Sequence, residues 1–294
     1  MKVFETVKDL QAYLQTQRKE GLSIGFVPTM GALHAGHLSL IQKSKAQTDV
    51  TVCSIFVNPK QFDEAADFDK YPRTVATDAK LLEEQNCEVL FVPSVAEMYP
   101  PAVENSLMSF DFDNLDQPME GKYRTGHFDG VAKVVKRLLD IVQPDELFMG
   151  QKDFQQFAII QKMLEITESN IKIVRCPIVR EFDGLAMSSR NVRLLPDERK
   201  RALGISRSLR HAKQWFLEQK MTIEEVKQKA FDFLSQIEGM RVEYFEIVDA
   251  KTLQNVASWQ DAETLVACTA VRIGAVRLID NMPVSYTHLR AHET

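Results

Sequence analysis

The chain has 294 residues, 45% of them apolar and 26% charged, with a formal net charge of −5. That composition supports an ordinary globular core in one large or two unequal domains, and no apolar run is long enough to span a membrane. The negative balance argues against a general affinity for nucleic acid or an anionic membrane, while leaving room for a local positive pocket.

In chain order, Thr6 is placed to cap a helix running to about residue 19, with Val7, Leu10 and Leu14 on one face. "LSIGFVPTM" reads as a buried strand and "GHLSLIQKSKAQ" as the helix after it. Residues 50–57, "VTVCSIFV", form a continuous apolar strand of the kind covered on both faces in a parallel sheet. A polar loop over 58–74 leads to a helix ending near 85, then to strand "EVLFVP". Helix "GVAKVVKRLLDIV", strand "ELFMG", helix "DFQQFAIIQKMLEI" and strand "IKIVRCPIV" follow. Strands alternating with helices predict a Rossmann-like, doubly wound parallel sheet over residues 1–184, an α/β architecture. Beyond Gly184 come helices over 196–219 and 222–236, then "RVEYFEIVD", "TLVACTAVRI" and "VRLID". These suggest a smaller α+β C-terminal domain over 185–284. Residues 285–294 lack periodicity and read as a disordered or non-native tail.

Cys53, Cys87, Cys176 and Cys268 lie far apart and form no CxxC pair, which suits buried, reduced thiols. Glu5, Lys8 and Asp9 fall where a signal peptide would need an apolar stretch, so the expected address is the cytoplasm.

Two of the six histidines, His34 and His37, sit in "PTMGALHAGH" between a strand and a helix start. Four readings compete: a metal site, a phosphate site, a nucleophilic dyad, or two structural histidines. Zinc would need a third ligand, and no HExxH or cysteine cluster supplies one nearby. A dyad would need a serine or cysteine in an elbow-type motif. Ligands of open α/β sheets bind beyond the carboxyl ends of strands, against helix N-termini. Gly31 and Gly36 would let phosphate approach the backbone there. "FMGQKDFQQ" puts Lys152 and Asp153 at another strand end, where a solvated pair is the plain alternative. "GLAMSSRN" offers the hydroxyls of Ser188 and Ser189 and the fork of Arg190, though alone it would pass for a linker.

An early histidine turn with a late Met-Ser-Ser-basic loop is the pattern of HIGH/KMSKS-type nucleotidyl-transfer enzymes. Within that group the chain resembles the pantothenate synthetase family. "PTMGALHAGH", "SIFVNPKQF", "YPRT", "GHFDGV", "GQKDFQQ" and "DGLAMSSRN" occur in the family's order, and "RLIDN" fits near the end.

The resemblance implies ATP-dependent joining of (R)-pantoate to β-alanine through a pantoyl-adenylate, with Mg2+ accompanying the nucleotide and a homodimer as the assembly. It implies an ATP site lined by Met30, Gly31, Ala32, Leu33, His34, Ala35, Gly36 and His37. Gly150, Gln151, Lys152 and Asp153 would hold the nucleotide as well, and Val179, Met187, Ser188, Ser189 and Arg190 would complete the pocket. His34, His37, Lys152 and Arg190 would carry the chemistry. For His37 the family pattern implies a general acid, but pyrophosphate departure requires no proton, so we read it as a hydrogen-bond donor to the transition state. Gln61 and Gln156 would contact pantoate; Asn58, Tyr71, Arg124 and His127 would help close the site. Asp78 is the candidate near Mg2+, with an exposed helix carboxylate as the alternative. Two positions depart from the family's usual acidic residues, Ala35 and Gln151. The 60–70 loop is long and polar enough for a lid, and the strand at 50–57 is a candidate contribution to a dimer face.

Three rivals remain open at this point. A sister adenylyltransferase would share the histidines and serine loop, but "NPKQF" and "DFQQ" match the acid-binding side. An aminoacyl-tRNA synthetase fits poorly with a small C-terminal part and a negative charge. The basic stretch over 190–213 lacks interleaved aromatics and reads as a solvated helix face. A binding-only module would hold ATP without releasing pyrophosphate.

Overall fold

The computed structural model describes residues 1–61, 68–69, 71–104, 108–218 and 220–284. Thr6 caps the first helix as expected, its side chain accepting from Asp9 N–H. The chain opens with β1 (Lys2–Phe4), a short strand the sequence pattern does not announce, then α1 (Val7–Lys19). Next come β2 (Ile24–Thr29), α2 (Ala35–Lys45) and β3 (Val50–Ile55). After these lie α3 (Val75–Glu84), β4 (Val89–Phe91) and α4 (His127–Val142). Strand β5 (Glu146–Gly150), helix α5 (Phe154–Ile166) and strand β6 (Lys172–Cys176) follow.

These six strands form one sheet in the order β1-β4-β3-β2-β5-β6, every pairing parallel. The progression from β2 runs outward through β3 and β4 on one side and restarts at β5 on the other. The order therefore reverses between β2 and β5, the place where an open α/β sheet leaves a crevice at its carboxyl end. The alternating pleat sorts side chains to two faces. Val27, Cys53, Leu90 and Phe148 pack with Leu40 and Ile41 of α2 and Leu82 of α3. On α1, Gln11 and Arg18 donate to carbonyls of Ile141 and Val142 at the end of α4. β3 is buried at all six positions and pairs on both edges. It is a central strand, so the expectation that it supplies a dimer face is corrected: neither face nor edge is exposed.

The later chain folds as α6 (Pro196–Glu218), α7 (Ile223–Ser235) and an antiparallel sheet of β7 (Met240–Asp249), β8 (Leu265–Ile273) and β9 (Val276–Pro283). Thr222 and Glu225 form a capping box at the start of α7. One apolar cluster joins both helices to the sheet, including Ile205, Leu209, Val226, Leu234, Ile247 and Val271. Each such fully buried side chain contributes roughly 1.5–3 kcal/mol by leaving water.

By internal contacts the chain divides into two units. The first is Met1–Asp113, Arg124–Gln151 and Gln156–Val179; the second is Asn114–Tyr123, Lys152–Gln155 and Arg180 onward. All four cysteines are free and buried. Burial raises the thiols of Cys87 and Cys176 to about 11. No described helix is long and apolar enough to cross a membrane. Most of the proposed 60–70 lid, and the 285–294 tail, lie outside the described residues.

Candidate active site

In the first unit β2 ends at Thr29, and the chain turns through Gly31 (φ 80°) and Ala32 (φ 49°) before α2 begins. A left-handed glycine is cheap; a left-handed alanine is strained and needs support. Asp78 supplies it from α3. Its Oδ2 accepts from Ala32 N–H at 2.9 Å and from Thr74 Oγ1 at 3.1 Å, while Oδ1 accepts from Leu33 N–H at 2.8 Å. A Cβ at Gly31 would stand 3.0 Å from Asp78 Oδ2 and from Ile55 Cγ2, so the turn is also closed sterically. Asp78 is 1% exposed. It is not the exposed helix carboxylate that the sequence allows: both oxygens are engaged by the turn. Sequence spacing cannot reveal this, because the partners are backbone amides some 45 residues away.

His34 is the N-cap of α2, with Nδ1 accepting from Gly36 N–H at 3.1 Å. An accepting Nδ1 puts the proton of the neutral ring on Nε2, the nitrogen suited to donate to an anion. One turn on, the His37 ring lies 4.1 Å from that of His34, centroid to centroid. Both imidazoles therefore sit on the positive end of one helix, at the carboxyl end of β2. Ala35 is exposed at the first helical position, and the first turn carries no acidic residue.

Beyond β3, polar groups converge on Gln61. Its Nε2 donates to Met30 Sδ at 2.9 Å, and its Oε1 accepts from Asn58 Nδ2 at 3.3 Å. Sulfur is a weak acceptor, so a carboxylate or hydroxyl of a ligand would replace it readily. Asn58 is 1% exposed and takes the hydroxyl of Tyr99 at 2.9 Å. His127 joins its Nδ1 to the Gln61 carbonyl (3.0 Å) and its Nε2 to Arg124 Nη1 (2.9 Å). Arginine only donates, so Nε2 holds the lone pair and Nδ1 the proton. Gly130 makes the approach possible: a Cβ there would meet the Lys60 carbonyl at 2.6 Å. Tyr71 is buried. Tyr99 is the member of this network that sequence reasoning missed; "EMYPP" carries no signal for it. Gly150 closes β5, Gln151 N–H bonds the Cys176 carbonyl at 2.8 Å, and Val179 lies half-buried just past β6. Gln156 is half-buried on α5.

In the second unit, Gln155 is the structural half of the Gln-Gln pair. It is 4% exposed, accepts from Glu120 N–H and donates to carbonyls of Leu115 and Pro118. Lys152 Nζ lies 3.8 Å from Asp153 Oδ1, too far for a tight pair. The serine loop is framed by charges. Arg199 reaches Glu181 (2.6 Å) and Asp183 (2.8 Å), and Asn191 Nδ2 donates to Glu181 Oε1 and the Ala186 carbonyl. The hydrogen bond from Arg199 holds the Asp183 carboxyl below its usual range. Ser188 Oγ accepts from Arg190 N–H, turning the loop so that Met187, Ser188, Ser189 and Arg190 are all only partly buried.

The family model described as pantoate-β-alanine ligase matches residues 2–283. The pantothenate synthetase of Bacteroides thetaiotaomicron is 49% identical over 282 residues, 96% of this chain and 98% of that one. That of Thermotoga neapolitana is 43% identical over 281 residues, 96% and 99% of the two chains. The crystal structure of pantothenate synthetase from Thermus thermophilus superposes with a TM-score of 0.90 at 37% identity, covering 97% of this chain and 100% of that one. The pantoate-β-alanine ligase of Francisella tularensis, in complex with β-γ ATP and β-alanine, gives 0.78 at 34%, covering 97% and 98%. Identity of this order along nearly the whole of each chain leaves no room for a partial likeness: this chain belongs to the pantoate-β-alanine ligase family, the pantothenate synthetases.

Proposed function

We propose that this ligase makes pantothenate in two steps on MgATP, through a pantoyl-adenylate. In the first, a carboxylate oxygen of (R)-pantoate attacks the α-phosphorus. The bond from that phosphorus to the bridging oxygen breaks, and pyrophosphate leaves with the electron pair. In the second, the amine of β-alanine attacks the acyl carbon and AMP departs with the electrons of the C–O bond. The amine's proton passes to water. The nucleophiles are the substrates themselves, so the protein's task is to position them and to offset developing negative charge.

The observation that carries this reading is the pair His34 and His37 on the first turn of α2, at the carboxyl end of β2 beside the strand-order reversal. His34 would donate from Nε2 to a phosphate oxygen; His37 would donate to the α–β bridge as charge builds. Met30, Gly31, Ala32, Leu33, Ala35 and Gly36 would line the same nucleotide site. Lys152 and Arg190 are assigned to phosphates, and Gly150, Gln151, Asp153, Val179, Met187, Ser188 and Ser189 to the rest of the nucleotide, on their motifs. Gln61 and Gln156 would hold pantoate. Asn58, Arg124 and His127 would act largely by fixing Gln61 and its surroundings, and Tyr71 would help close the site.

Mg2+ fits as part of the nucleotide rather than as a resident ion. Among the described residues no group of three His, Cys, Asp or Glu side chains could hold a metal, and Asp78 is taken up by the turn. Mg2+ would enter on the substrate phosphates with several of its waters, and would offset their charge without a dedicated all-protein cage. The homodimer and cytoplasmic address implied by the family belong to the same reading; light scattering of the purified chain checks the first.

The test is pyrophosphate release from MgATP and (R)-pantoate, with and without β-alanine, with products followed by mass spectrometry. Pantoate-dependent pyrophosphate, with pantothenate and AMP only when β-alanine is added, is the expected result. ATP binding with no pyrophosphate from any pantoate mixture would sink it.

A further inference from the structure

Strand β9 carries "RLIDN", and two residues of that segment connect, one directly and one through Arg180, to the two loops assigned to the nucleotide in the second unit. Asn281, 2% exposed, donates Nδ2 to the backbone carbonyl of Lys152 at 2.9 Å. Its neighbour Asp280, 3% exposed, receives Arg180 through two parallel bonds, Nη1 to Oδ2 at 2.6 Å and Nη2 to Oδ1 at 2.9 Å. Arg180 also donates to the Gly184 carbonyl at 3.1 Å, and its backbone pairs antiparallel with Ala186. Asn281 N–H closes on Asp280 Oδ1 at 2.8 Å, so both side chains are locked to one piece of strand.

A buried carboxylate within a strand is expensive, and an apolar pair of similar shape would serve the core at least as well. What the arrangement provides instead is geometry. One branch ends on Lys152 itself. The other ends on Ala186, immediately before Met187. Glycine at 184 has φ 96°, and a Cβ there would lie 2.9 Å from Arg210 Nη1, so that branch has little freedom to rearrange.

We propose that Asp280 and Asn281 are positioning residues for the nucleotide: together they hold the Lys152 backbone and the root of the 187–190 loop in one register. The proposal rests on the assignment of Lys152 and that loop to ATP. Neither residue touches the reacting atoms; they act by keeping one cation and one hydroxyl-bearing loop from drifting apart.

Steady-state kinetics of the full chain, varying ATP, pantoate and β-alanine separately, test it. Asn281→Ala and Asp280→Asn should each raise KM for ATP on the order of tenfold, the scale of one hydrogen bond, and leave KM for β-alanine within about twofold. In a Lys152→Ala background, Asn281→Ala should add less than about twofold, because no cation remains to be misplaced. Asp280→Asn keeps the side-chain shape and gives a result even if Asn281→Ala is insoluble. If Lys152→Ala leaves KM for ATP unchanged, the nucleotide assignment itself fails. If it raises KM while both strand variants do not, the positioning role alone is overturned. Equal changes for all three substrates, or lost active enzyme at constant KM, would show an ordinary structural pair and overturn it equally.

Discussion

The histidine turn and the serine loop are both short, polar and assigned to the same nucleotide, yet they are built in different ways. The histidine turn is held by backbone: two consecutive amides bond one buried carboxylate, and the helix after it is capped by a catalytic candidate's own ring. The serine loop is held by side-chain charges, with Arg199 between Glu181 and Asp183, and Asn191 bridging back to Ala186. A backbone-held turn fixes direction to within a hydrogen bond and is indifferent to salt. A charge-held loop can be loosened by protonation or screening. On the proposed reading, the difference would put the firmer geometry beside the bond that breaks and the more adjustable geometry around the rest of the nucleotide.

The largest expected effect tests the precise side. His37→Ala should lower kcat by about 10²–10³, as loss of a preorganised donor to a transition state does, with KM for β-alanine nearly unchanged. A loss under threefold, read in the pyrophosphate assay, would remove His37 from that role and erase the contrast. Next in size is Asp78→Ala. It leaves two buried amide donors and strains Ala32, so unfolding in urea should show a loss of about 3 kcal/mol. Asp78→Asn, which keeps one acceptor, should lose about half as much. If both variants melt like the parent, the turn does not depend on that carboxylate.

Much of this was legible beforehand, and the reason differs by region. Periodicity identified the sheet strands and long helices because each buries a face of its own; β1, three residues long, has too little pattern to register. Thr6 was a readable cap because its partner lies three residues on. His34 and His37 stood out because they fall between a strand and a helix start, where open α/β sheets bind their ligands. Their support did not, since Asp78 acts on amides, which have no residue identity. The same limit hid Tyr99 behind Asn58, and left the buried, structural place of Gln155 beside Gln156 to be seen only in the fold. Nothing in the string announces that 114–123 and 152–155 group with the later chain, because those contacts are set by tertiary packing.

The charge-held loop offers a smaller test through pH. The Asp183 carboxyl lies below its ordinary value chiefly because Arg199 donates to it. A depressed carboxyl favours the folded state above its unfolded value near 3.8, and the benefit is lost as pH falls through the lower, folded value. Asp183→Asn should therefore melt about 1 °C below the parent at neutral pH, and the gap should close as the solution is acidified below 4. High salt should narrow it too. A gap that is constant with pH would mean that packing, not charge, holds this loop.

The smallest expected effect returns to the histidine turn and asks how close its helix stands to the phosphates. Ala35 occupies the first position of α2 and is exposed. Ala35→Glu places a negative charge on the positive helix end, which should stabilise the fold by about 0.5 kcal/mol, or 1–2 °C in Tm. The same charge opposes an incoming polyphosphate, but across water and within reach of counter-ions, so KM for ATP should rise by no more than about threefold at physiological salt. The two effects have opposite signs for the same physical reason: the helix end attracts whichever anion is nearest. A higher Tm with a slightly weaker ATP KM would place the phosphates beside the histidine side chains rather than on the helix amides. A rise beyond tenfold would instead mean direct competition for those amides, and the backbone-held turn would then bind the nucleotide through the same groups that shape it.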